Sequence, residues 1–506
     1  MSNTTGTDAL SFQIKSLNDK FAEYIQQLAS KPESLSVSWK SPIEDYLGYV
    51  RMLKQMYSPE EGYIYSWGTG DCAQLGHGMN ADGFWIENTR PKQVKAFKMP
   101  EVMRISAGGI HNVVLTTSGE VYTWGCNDDR ALGRDGLEHL PMIVPGLNKV
   151  SVAQVGAGDC HTLALTREGQ IYGWGAFRDK DGKKFWPMES AAKSFKYTQK
   201  TPKLMDDFLK SSHKVKSSEK IVDIVCGSCF NYARSSSGRL YSWGIGESGE
   251  LGRIVGDVKN KEQDYNKDII YTQHLLPQVV VHKDTDTGSN VPVQSCKAVG
   301  CGAYHALFTT SEGDGNTLYA TGLNNYGQLG LEDAEGVVEK WRTVPEVVSK
   351  AKHLNICQIQ AGEHHSVVLT VEGKVFSFGR GDSGQLGRKA PDNSKGQVQE
   401  GYFDANPGRV IGEMRGCAIK QISCGSNHTL AVSTKSKVFA WGYGDNGSLG
   451  HGKVDGDLLF PAMIREKELK TSQGYSVAHV EAGGQHSCLI LKKNQVGSKR
   501  KSQWTQ

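Results

Sequence analysis

Tyr122-Thr123-Trp124-Gly125 is one of seven short segments in which an aromatic or small residue and a glycine close a strand. A second motif, Gly-x-x-His, recurs seven times between them. The first series comprises Tyr65–Gly68, Tyr122–Gly125, Tyr172–Gly175, Tyr241–Gly244, Tyr319–Gly322, Phe376–Gly379 and Phe439–Gly442. The second begins at Gly108, Gly158, Gly227, Gly302, Gly362, Gly425 and Gly483, with Phe230 replacing histidine in the third. Repeats of this kind are supersecondary units that bury their apolar faces against one another.

Between each Gly-x-x-His motif and the next aromatic-Gly segment the sequence predicts a β-hairpin. Two short strands rich in β-branched and aromatic residues flank a turn such as Ser118-Gly119 or Glu372-Gly373, where glycine tolerates a positive φ. Ser436-Lys437 replaces the glycine turn in one repeat. Each hairpin therefore joins the end of one repeat to the start of the next.

This offset leaves one strand without a partner at each end of the repeat region. The strand from Tyr63 to Trp67 has no preceding Gly-x-x-His strand, and the strand from Gly483 to Leu491 has no following one. We expect the two to pair, because an open solenoid would leave both edges exposed. The sequence predicts an all-β fold, a seven-bladed β-propeller over 61–491 closed by its terminal strands.

The segments outside the repeats differ in character. Residues 1–60 form a predicted helical N-terminal extension, with one amphipathic helix over 9–30 and a second from Ser41 to about Tyr57. Residues 492–506 form a predicted basic, flexible tail, in which Lys492, Lys493, Lys499, Arg500 and Lys501 suggest a nuclear-import signal, a nucleic-acid contact or a merely solvated end.

Composition limits the classes of function. The net charge of +4 over 506 residues gives no strong indication of nucleic-acid binding. No apolar run is long enough to span a bilayer and no signal peptide is evident, so we expect a soluble intracellular protein without a membrane partner. Cys226 and Cys229 form a C-x-x-C pair with no second pair or His cluster at zinc spacing, which favours packing over metal binding. We expect no metal, no cofactor, no small-molecule substrate and no covalent catalysis.

The Gly-x-x-His positions combine a repeated residue with variable ones. Histidine recurs at His111, His161, His305, His365, His428 and His486, and a residue present in nearly every repeat favours a structural role between blades over catalysis. The residues beside it vary: Asp159 follows Gly158, and Glu363 and His364 follow Gly362. Charged and titratable groups at one end of the ring predict a contact surface.

One loop breaks the repeat pattern. Ala176-Phe177-Arg178-Asp179-Lys180-Asp181-Gly182-Lys183 follows the third aromatic-Gly segment, where other repeats end in Leu-Gly. Its Asp-Gly pair predicts a tight turn, hence a charged hairpin projecting from the ring. The alternative is a solvated insertion without function.

The repeats resemble those of the regulator of chromosome condensation family, which includes the nucleotide exchange factor for the small GTPase Ran. Two segments that occur once carry the closer resemblance: the turn from Cys126 to Asp135, and Trp174–Asp179 with the Asp-Gly that follows. In that family the second segment is a β-wedge pressed into the GTPase beside the nucleotide. The resemblance implies a guanine nucleotide exchange factor for Ran, acting in the nucleus on chromatin without covalent chemistry.

The resemblance also implies site residues. Asp159 and His364 are expected to matter most for exchange. The other implied GTPase contacts are Asp71, His111, Phe177, Arg178, Asp179, Arg253 and His486. Histones, the nucleosome and DNA are further implied partners, with less support, because the family's basic N-terminal tail is missing.

The sequence departs from the family pattern at Cys229 and Phe230, where the Ran exchange factor has an aspartate and a histidine. This change removes one expected acidic contact. Two alternatives therefore stay open: an exchange factor for a different small GTPase, and a non-catalytic propeller scaffold.

Overall fold

The computed structural model describes residues 62–494, with gaps at 80–86, 96–101, 188–196, 206–218, 255–270, 272, 284–286, 313–314, 332–337, 339, 390–398, 454–455, 470 and 472–473. The helices predicted over 9–30 and 41–57 lie outside the described residues, as do Lys499, Arg500 and Lys501. No helix within the described ranges is long and apolar enough to cross a membrane.

The described residues form seven four-stranded antiparallel sheets, the blades of a β-propeller, as the sequence predicts. Blade 1 comprises Tyr475–Ala482, His486–Lys493, Gly62–Gly68 and Asn88–Gln93. Blade 2 comprises Val102–Ala107, His111–Thr116, Val121–Gly125 and Met142–Ile143; blade 3, Val152–Ala157, His161–Thr166, Ile171–Gly175 and Gln199–Leu204; blade 4, Ile221–Cys226, Phe230–Ser235, Leu240–Gly244 and Gln278–Val279. Blade 5 comprises Cys296–Cys301, His305–Glu312, Gly315–Leu323 and Trp341–Val347; blade 6, Ile356–Ala361, His365–Thr370, Val375–Arg380 and Phe403–Arg409; blade 7, Ile419–Cys424, His428–Ser433, Val438–Gly442 and Leu458–Met463.

Smaller elements lie between and beside the blades. Two-stranded hairpins pair Phe177–Arg178 with Lys184–Phe185 and Val281–Lys283 with Asn290–Pro292. A short α-helix spans Glu466–Leu469, and single 3-10 turns span Ser349–Ala351 and Gly412–Met414.

Blade 1 closes the ring from the two ends of the repeat region. Gly62–Gly68 pairs antiparallel with His486–Lys493, from Gly62 opposite Lys492 to Gly68 opposite His486. The predicted pairing of the two orphan strands is confirmed. The predicted flexible tail from residue 492 is wrong at its start, because Lys492 and Lys493 are the last residues of the closing strand, and Lys492 is only 8% exposed.

The turns that join consecutive repeats follow the predicted glycine pattern. Gly119 and Gly373 adopt φ values of 86° and 73°, and Ser436 adopts 60° in the repeat that lacks the glycine. The backbone of a residue other than glycine is strained at positive φ. The turn geometry is thus kept in blade 7 despite the less suitable residue.

Apolar packing between neighbouring blades holds the ring together. The described residues contain seven buried apolar clusters, each drawn from two adjacent blades. The motif tryptophans also bridge blades: Trp124 donates its Nε1 hydrogen to the Gln74 carbonyl at 2.9 Å, and Trp174 donates to the Ala131 carbonyl at 2.7 Å. A blade alone would expose both faces, so the repeats are stable only as a set.

The repeated histidines form a belt of contacts around the ring. Each lies 2.8 to 3.0 Å through Nε2 from a hydroxyl or amide oxygen that directly follows the equivalent position in the next blade. The pairs are His111 with Thr162, His161 with Asn231, His305 with Ser366, His365 with Thr429, His428 with Ser487, and His486 with Asn112. The predicted structural role is confirmed, although the partner is a side chain where the sequence suggested backbone.

The glycine of each Gly-x-x-His motif is needed for close approach. A Cβ on Gly158 would collide with the Gly227 carbonyl oxygen of the next blade, and the same holds from motif to motif around the ring. These glycines bring the inner ends of the blades together around a central channel.

Blade 4 breaks the belt with a matched pair of residues. Phe230 replaces the histidine, and the position that would receive it in blade 5 is Ala306, which has no polar side-chain atom. Both side chains are buried in one apolar cluster. The departure at Phe230 therefore exchanges one inter-blade contact for another and leaves the ring closed.

Phe230→His alone is expected to destabilise the propeller, because the buried ring nitrogen would face Ala306 without a partner. The unpaired group costs roughly 1–3 kcal/mol. Adding Ala306→Ser supplies a hydroxyl, so the double variant should recover about 1 kcal/mol relative to the sum of the single variants. Urea unfolding of all four proteins measures this coupling, and additive effects would show that the two positions do not form a pair.

Candidate functional site

All the sequence-predicted contact loops that the structure describes meet at one end of the ring. Within each blade the end of the third strand lies beside the start of the second, as where Gly175 pairs with His161. Loops that follow third strands therefore share an end with the Gly-x-x-His turns. We call this end the Gly-x-x-His face; it carries Asp71, Asp159, the 177–185 hairpin and His364.

The charged loop of blade 3 is a hairpin, as the sequence predicts. Phe177 pairs with Phe185 and Arg178 with Lys184. Asp179 organises the turn, because its Oδ1 accepts hydrogen bonds from the backbone N–H groups of Asp181 and Lys183 at 3.1 and 2.8 Å. Residues 180–183 are exposed. The tip is thus a structured, solvent-facing turn.

A buried carboxylate in blade 2 holds the base of the hairpin. Asp129 has a side chain only 6% exposed and forms ion pairs with Arg178 and with Lys184, one residue from each strand of the hairpin. Burial would raise the pKa of Asp129, but its hydrogen bonds with Lys184 and Cys160 and the Arg178 charge lower it overall. Asp129 therefore remains ionised and anchors both strands.

The opposite side of the hairpin is held from blade 4. The backbone N–H of Lys180 donates to Glu247 Oε2 at 3.1 Å. Tyr271 Oη lies 3.1 Å from Asp179 Oδ2 and 3.2 Å from Glu247 Oε1, so one hydroxyl hydrogen is shared between two carboxylates. Burial and these two charges raise the pKa of Tyr271, which keeps the hydroxyl a donor. The hairpin is fixed on both sides before any partner arrives.

Asp159 lies at the mouth of the central channel. Its side chain reaches solvent there, and it shares a cavity of about 90 Å³ with Glu363 and the Gly-x-x-His glycines. The surrounding ring raises the pKa of Asp159 by desolvation, Glu363 raises it further, and a hydrogen bond with Ser228 and the Arg178 charge oppose the shift. The cavity is far below the roughly 300 Å³ of small ligand pockets, so a macromolecular contact suits it better.

His364 sits in an aromatic cluster next to this channel mouth. Its ring lies 5.7 Å from that of Tyr304, nearly parallel, and 4.9 Å from that of Tyr326. The guanidinium of Arg380 packs over the ring of Tyr326, 5.0 Å from its centroid. The Nε of Arg380 also donates to both carboxylate oxygens of Asp382. Burial lowers the pKa of His364 to about 4, with Arg380 adding to the shift and Asp382 opposing it. The imidazole is therefore neutral at physiological pH.

Four of the implied GTPase contacts are buried in the propeller, so their side chains do not form part of its exposed surface. They are His111, Phe177, Arg253 and His486, each at most 4% exposed. The two histidines belong to the inter-blade belt. Phe177 stacks on Trp186 with ring centroids 5.4 Å apart. Arg253 donates to the carbonyl oxygens of Gln273, His274 and Leu276, so it organises the chain after the blade 4 insertion.

The remaining predicted contacts lie on the Gly-x-x-His face. Asp71 is exposed in the blade 1 turn. Arg178 keeps 41% of its side chain exposed despite the ion pair with Asp129. Asp159, His364, Arg178 and Asp179 lie around the channel mouth and the adjoining hairpin, whereas Asp71 extends the surface toward blade 1.

Comparison with known proteins places this architecture in a family. The sequence profile of the RCC1-like domain matches residues 63–489. The chain belongs to the RCC1-like domain family. The human regulator of chromosome condensation is 32% identical over 448 residues, which cover 88% of this chain and 94% of the relative.

Relatives within the RCC1-like family differ in what they do. The ultraviolet-B receptor UVR8 of Arabidopsis thaliana is 30% identical over 426 residues, covering 83% of this chain and 80% of the receptor. Among solved structures, Prp20p of Saccharomyces cerevisiae matches with a TM-score of 0.70 and 26% identity over 88% of this chain and 94% of its own; that structure was determined together with its binding properties toward Gsp1p and histones. Membership of the RCC1-like family thus establishes the fold of this chain but does not by itself identify its binding partner.

Several residues that shape the Gly-x-x-His face were not identified from the sequence. Asp129 lies inside the quoted Cys126–Asp135 turn, and the match of that turn to the family was a usable signal for it. Tyr271 follows a long insertion, and nothing in the local sequence points to its contact with Asp179. Gln328 carries the Gln-Leu-Gly pattern of a turn, which concealed its contact with His364.

Asp159→Asn is expected to stabilise the propeller at neutral pH. A carboxyl whose pKa is raised on folding costs stability once it is ionised, so the cost appears as pH rises and is absent at about pH 3, where Asp is protonated in both states. Contact with solvent limits the gain to less than about 1 kcal/mol. Urea midpoints at the two pH values test this.

Asp135→Asn is the matched control, because its side chain is 95% exposed and it should shift neither midpoint by a measurable amount. A lower midpoint for Asp159→Asn at neutral pH would show that the Asp159 carboxylate stabilises the ring.

Proposed function

We propose that the Gly-x-x-His face binds a small GTPase of the Ran type and accelerates release of its GDP. One observation carries the proposal: a charged hairpin, anchored from both neighbouring blades, lies on the same face as Asp159 at the channel mouth and His364 beside it. A rigid projection next to a polar contact surface can displace loops of a partner. The family relationship supports the same conclusion, since Prp20p shares the fold and is described with Gsp1p binding.

The mechanism needs no covalent step. An exchange factor must bind the nucleotide-free GTPase more tightly than the GDP-loaded form, and each tenfold preference corresponds to about 1.36 kcal/mol of coupling. A tip that occupies the space or contacts of the nucleotide-binding loops supplies such a preference, because contacts to the tip and to GDP then compete.

Because Phe177 is buried, we propose that the exposed tip of the hairpin, and not Phe177, competes with GDP for the GTPase. Lys180, Asp181, Gly182 and Lys183 are exposed, whereas Phe177 is fully buried. The side chains of Lys180 and Lys183 can interact favourably with carboxylates and phosphates. The tip therefore suits the carboxylates and phosphates around a bound nucleotide and its magnesium ion.

We also propose that the protein acts in the nucleus and is attached to chromatin. The support comes from Prp20p, described with histones, and from a second yeast structure of Prp20 bound to Kap60. Lys492 and Lys493 are part of blade 1, so a basic tail in this chain would begin beyond residue 493.

An exchange factor for a different small GTPase is the second candidate, favoured by the loss of an acidic residue at Cys229. Cys229 packs against the apolar cluster between blades 3 and 4, and burial raises its pKa to about 12, so the thiol is an uncharged replacement. A face with one fewer carboxylate would select a partner with one fewer positive contact.

Binding to GTPases in defined nucleotide states tests the proposal. We expect the full chain to bind nucleotide-free Ran at least about a hundredfold more tightly than Ran loaded with GDP, equivalent to roughly 2.7 kcal/mol of coupling. The same titrations with other small GTPases serve as the specificity control. Equal affinity for both states of Ran would support a scaffold, and a preference shown only by another GTPase would support the second candidate.

A further inference from the structure

The side chain of Gln328 has a fixed orientation beneath His364. It is 0% exposed. Its Oε1 accepts the backbone N–H of Tyr326 at 2.9 Å, and its Nε2 donates to Asn325 Oδ1 at 3.1 Å. Because a backbone N–H can only donate, Tyr326 determines which end of the amide is the oxygen. The other end, the NH₂ group, points toward His364.

The two nitrogens of His364 face opposite kinds of group. Nδ1 lies 3.5 Å from the Gln328 amide nitrogen, a donor, at the long end of hydrogen-bonding range. Nε2 lies 3.6 Å from Glu363 Oε1, an acceptor. A proton on Nδ1 would face another N–H group, whereas a proton on Nε2 faces a carboxylate. Both neighbours therefore favour the tautomer with the hydrogen on Nε2.

The surroundings also keep the ring uncharged and in place. Several titratable and charged groups face His364. They are Glu363 and His365 on its own segment, Tyr304 and His305 in blade 5, Tyr326 in the blade 5 turn, and Arg380 with Asp382 in blade 6. Tyr304 and Tyr326 restrict the plane of the imidazole from two directions.

We infer that Gln328 is a positioning residue that fixes His364 as the neutral Nε2–H tautomer. The Nε2–H donor lies 3.6 Å from Glu363 Oε1, too far for a direct hydrogen bond, so it can be donated to an acceptor of a partner beside the channel mouth. The consequence for exchange rests on the proposed function: the GTPase atom that His364 meets is an acceptor, such as a backbone carbonyl or a carboxylate. The tautomer itself does not depend on the proposed function.

Equivalent glutamines separate this role from a turn-forming one. Gln74 and Gln385 occupy the same turn position in blades 1 and 6, where each accepts a backbone N–H at 2.9 Å. Their amide nitrogens face Asp71 and Asp382, the counterparts of Asn325 in the blade 5 turn. Closing the turn is common to all three glutamines, and contact with a histidine distinguishes Gln328 among them.

Long-range ¹⁵N NMR of the histidine-labelled full chain reads the tautomer directly, with His364→Gln used to assign the signal. We expect the Nε2–H form in the natural protein. Gln328→Glu keeps the shape and the bond to Tyr326 but places a carboxylate beside Nδ1, so the proton should move there or the ring should become protonated. Gln74→Leu, which removes the equivalent turn bond in blade 1, should leave the His364 signals unchanged.

Exchange kinetics on Ran then test the consequence. Gln328→Glu should lower kcat about tenfold, the factor expected for loss of one hydrogen bond. An Nδ1–H ring in the natural protein, or an unchanged ring in Gln328→Glu, overturns the inference. A changed tautomer with unchanged kcat overturns its role in exchange. Absence of exchange by the natural protein contradicts the proposed function, and the NMR result still decides the tautomer.

Discussion

Replacing residues 179–183 with an Asn-Gly turn is expected to lower GDP release from Ran at least about a hundredfold, which corresponds to roughly 2.7 kcal/mol of lost coupling. Asn-Gly is the preferred two-residue hairpin turn, so Phe177 and Phe185 can keep their pairing and Arg178 and Lys184 their contacts with Asp129. The change removes the exposed tip together with Asp179, so the contacts with blade 2 remain while those with Tyr271 and Glu247 in blade 4 are lost. Stopped-flow release of a fluorescent GDP analogue measures the effect.

Two observations make the result interpretable. The thermal unfolding midpoint should shift by less than about 3 °C, because 180–183 are exposed, Asp179 is only partly buried and neither adds apolar contacts to the core. Lys435→Ala with Lys437→Ala is the control, since these lysines flank a turn at the opposite end of blade 7. Full exchange activity in the shortened hairpin would show that the tip is a solvated insertion.

Phe177→Ala is expected to act on stability, with a loss of about 3–5 kcal/mol. Phe177 is fully buried between the rings of His161 and Trp186, with centroid distances of 4.5 and 5.4 Å. Its removal leaves a cavity beneath the hairpin, which the neighbouring blades cannot fill without moving. Urea unfolding, followed by tryptophan fluorescence, measures the loss.

Phe403→Ala is the matched control for this substitution. Phe403 is 41% exposed on the outer strand of blade 6, so the same truncation there should cost about 1 kcal/mol or less. If Phe177→Ala retained the natural stability but lost exchange activity, the side chain would be a partner contact, as the family resemblance implied, and its buried position would be wrong.

The fold was predictable because the motifs that define a blade are repeated along the sequence. Seven copies of each motif give the blade number, and the offset between the motifs implies that Tyr63–Trp67 and Gly483–Leu491 pair. The belt histidines were also assigned correctly, because a residue repeated in six blades is better explained by a contact repeated between blades. Periodicity carries such information without any knowledge of side-chain orientation.

The site was predictable only in part, because contact residues depend on which way a side chain points. Asp159 and His364 stand out as exceptions within a repeated motif, and both lie at the channel mouth. The burial of Phe177 and Arg253 was not predicted: Phe177 points inward, and the guanidinium of Arg253 donates to backbone carbonyl oxygens. Contacts between distant segments, such as Tyr271 with Asp179, leave no local pattern to read.

The central claim is tested most directly by the release of a fluorescent GDP analogue from Ran in the presence of excess GTP and catalytic amounts of the full chain. We predict release that is accelerated in proportion to the concentration of this protein, with many GTPase molecules turned over by each propeller. Release at the spontaneous rate, under conditions where the protein is folded, would contradict the claim.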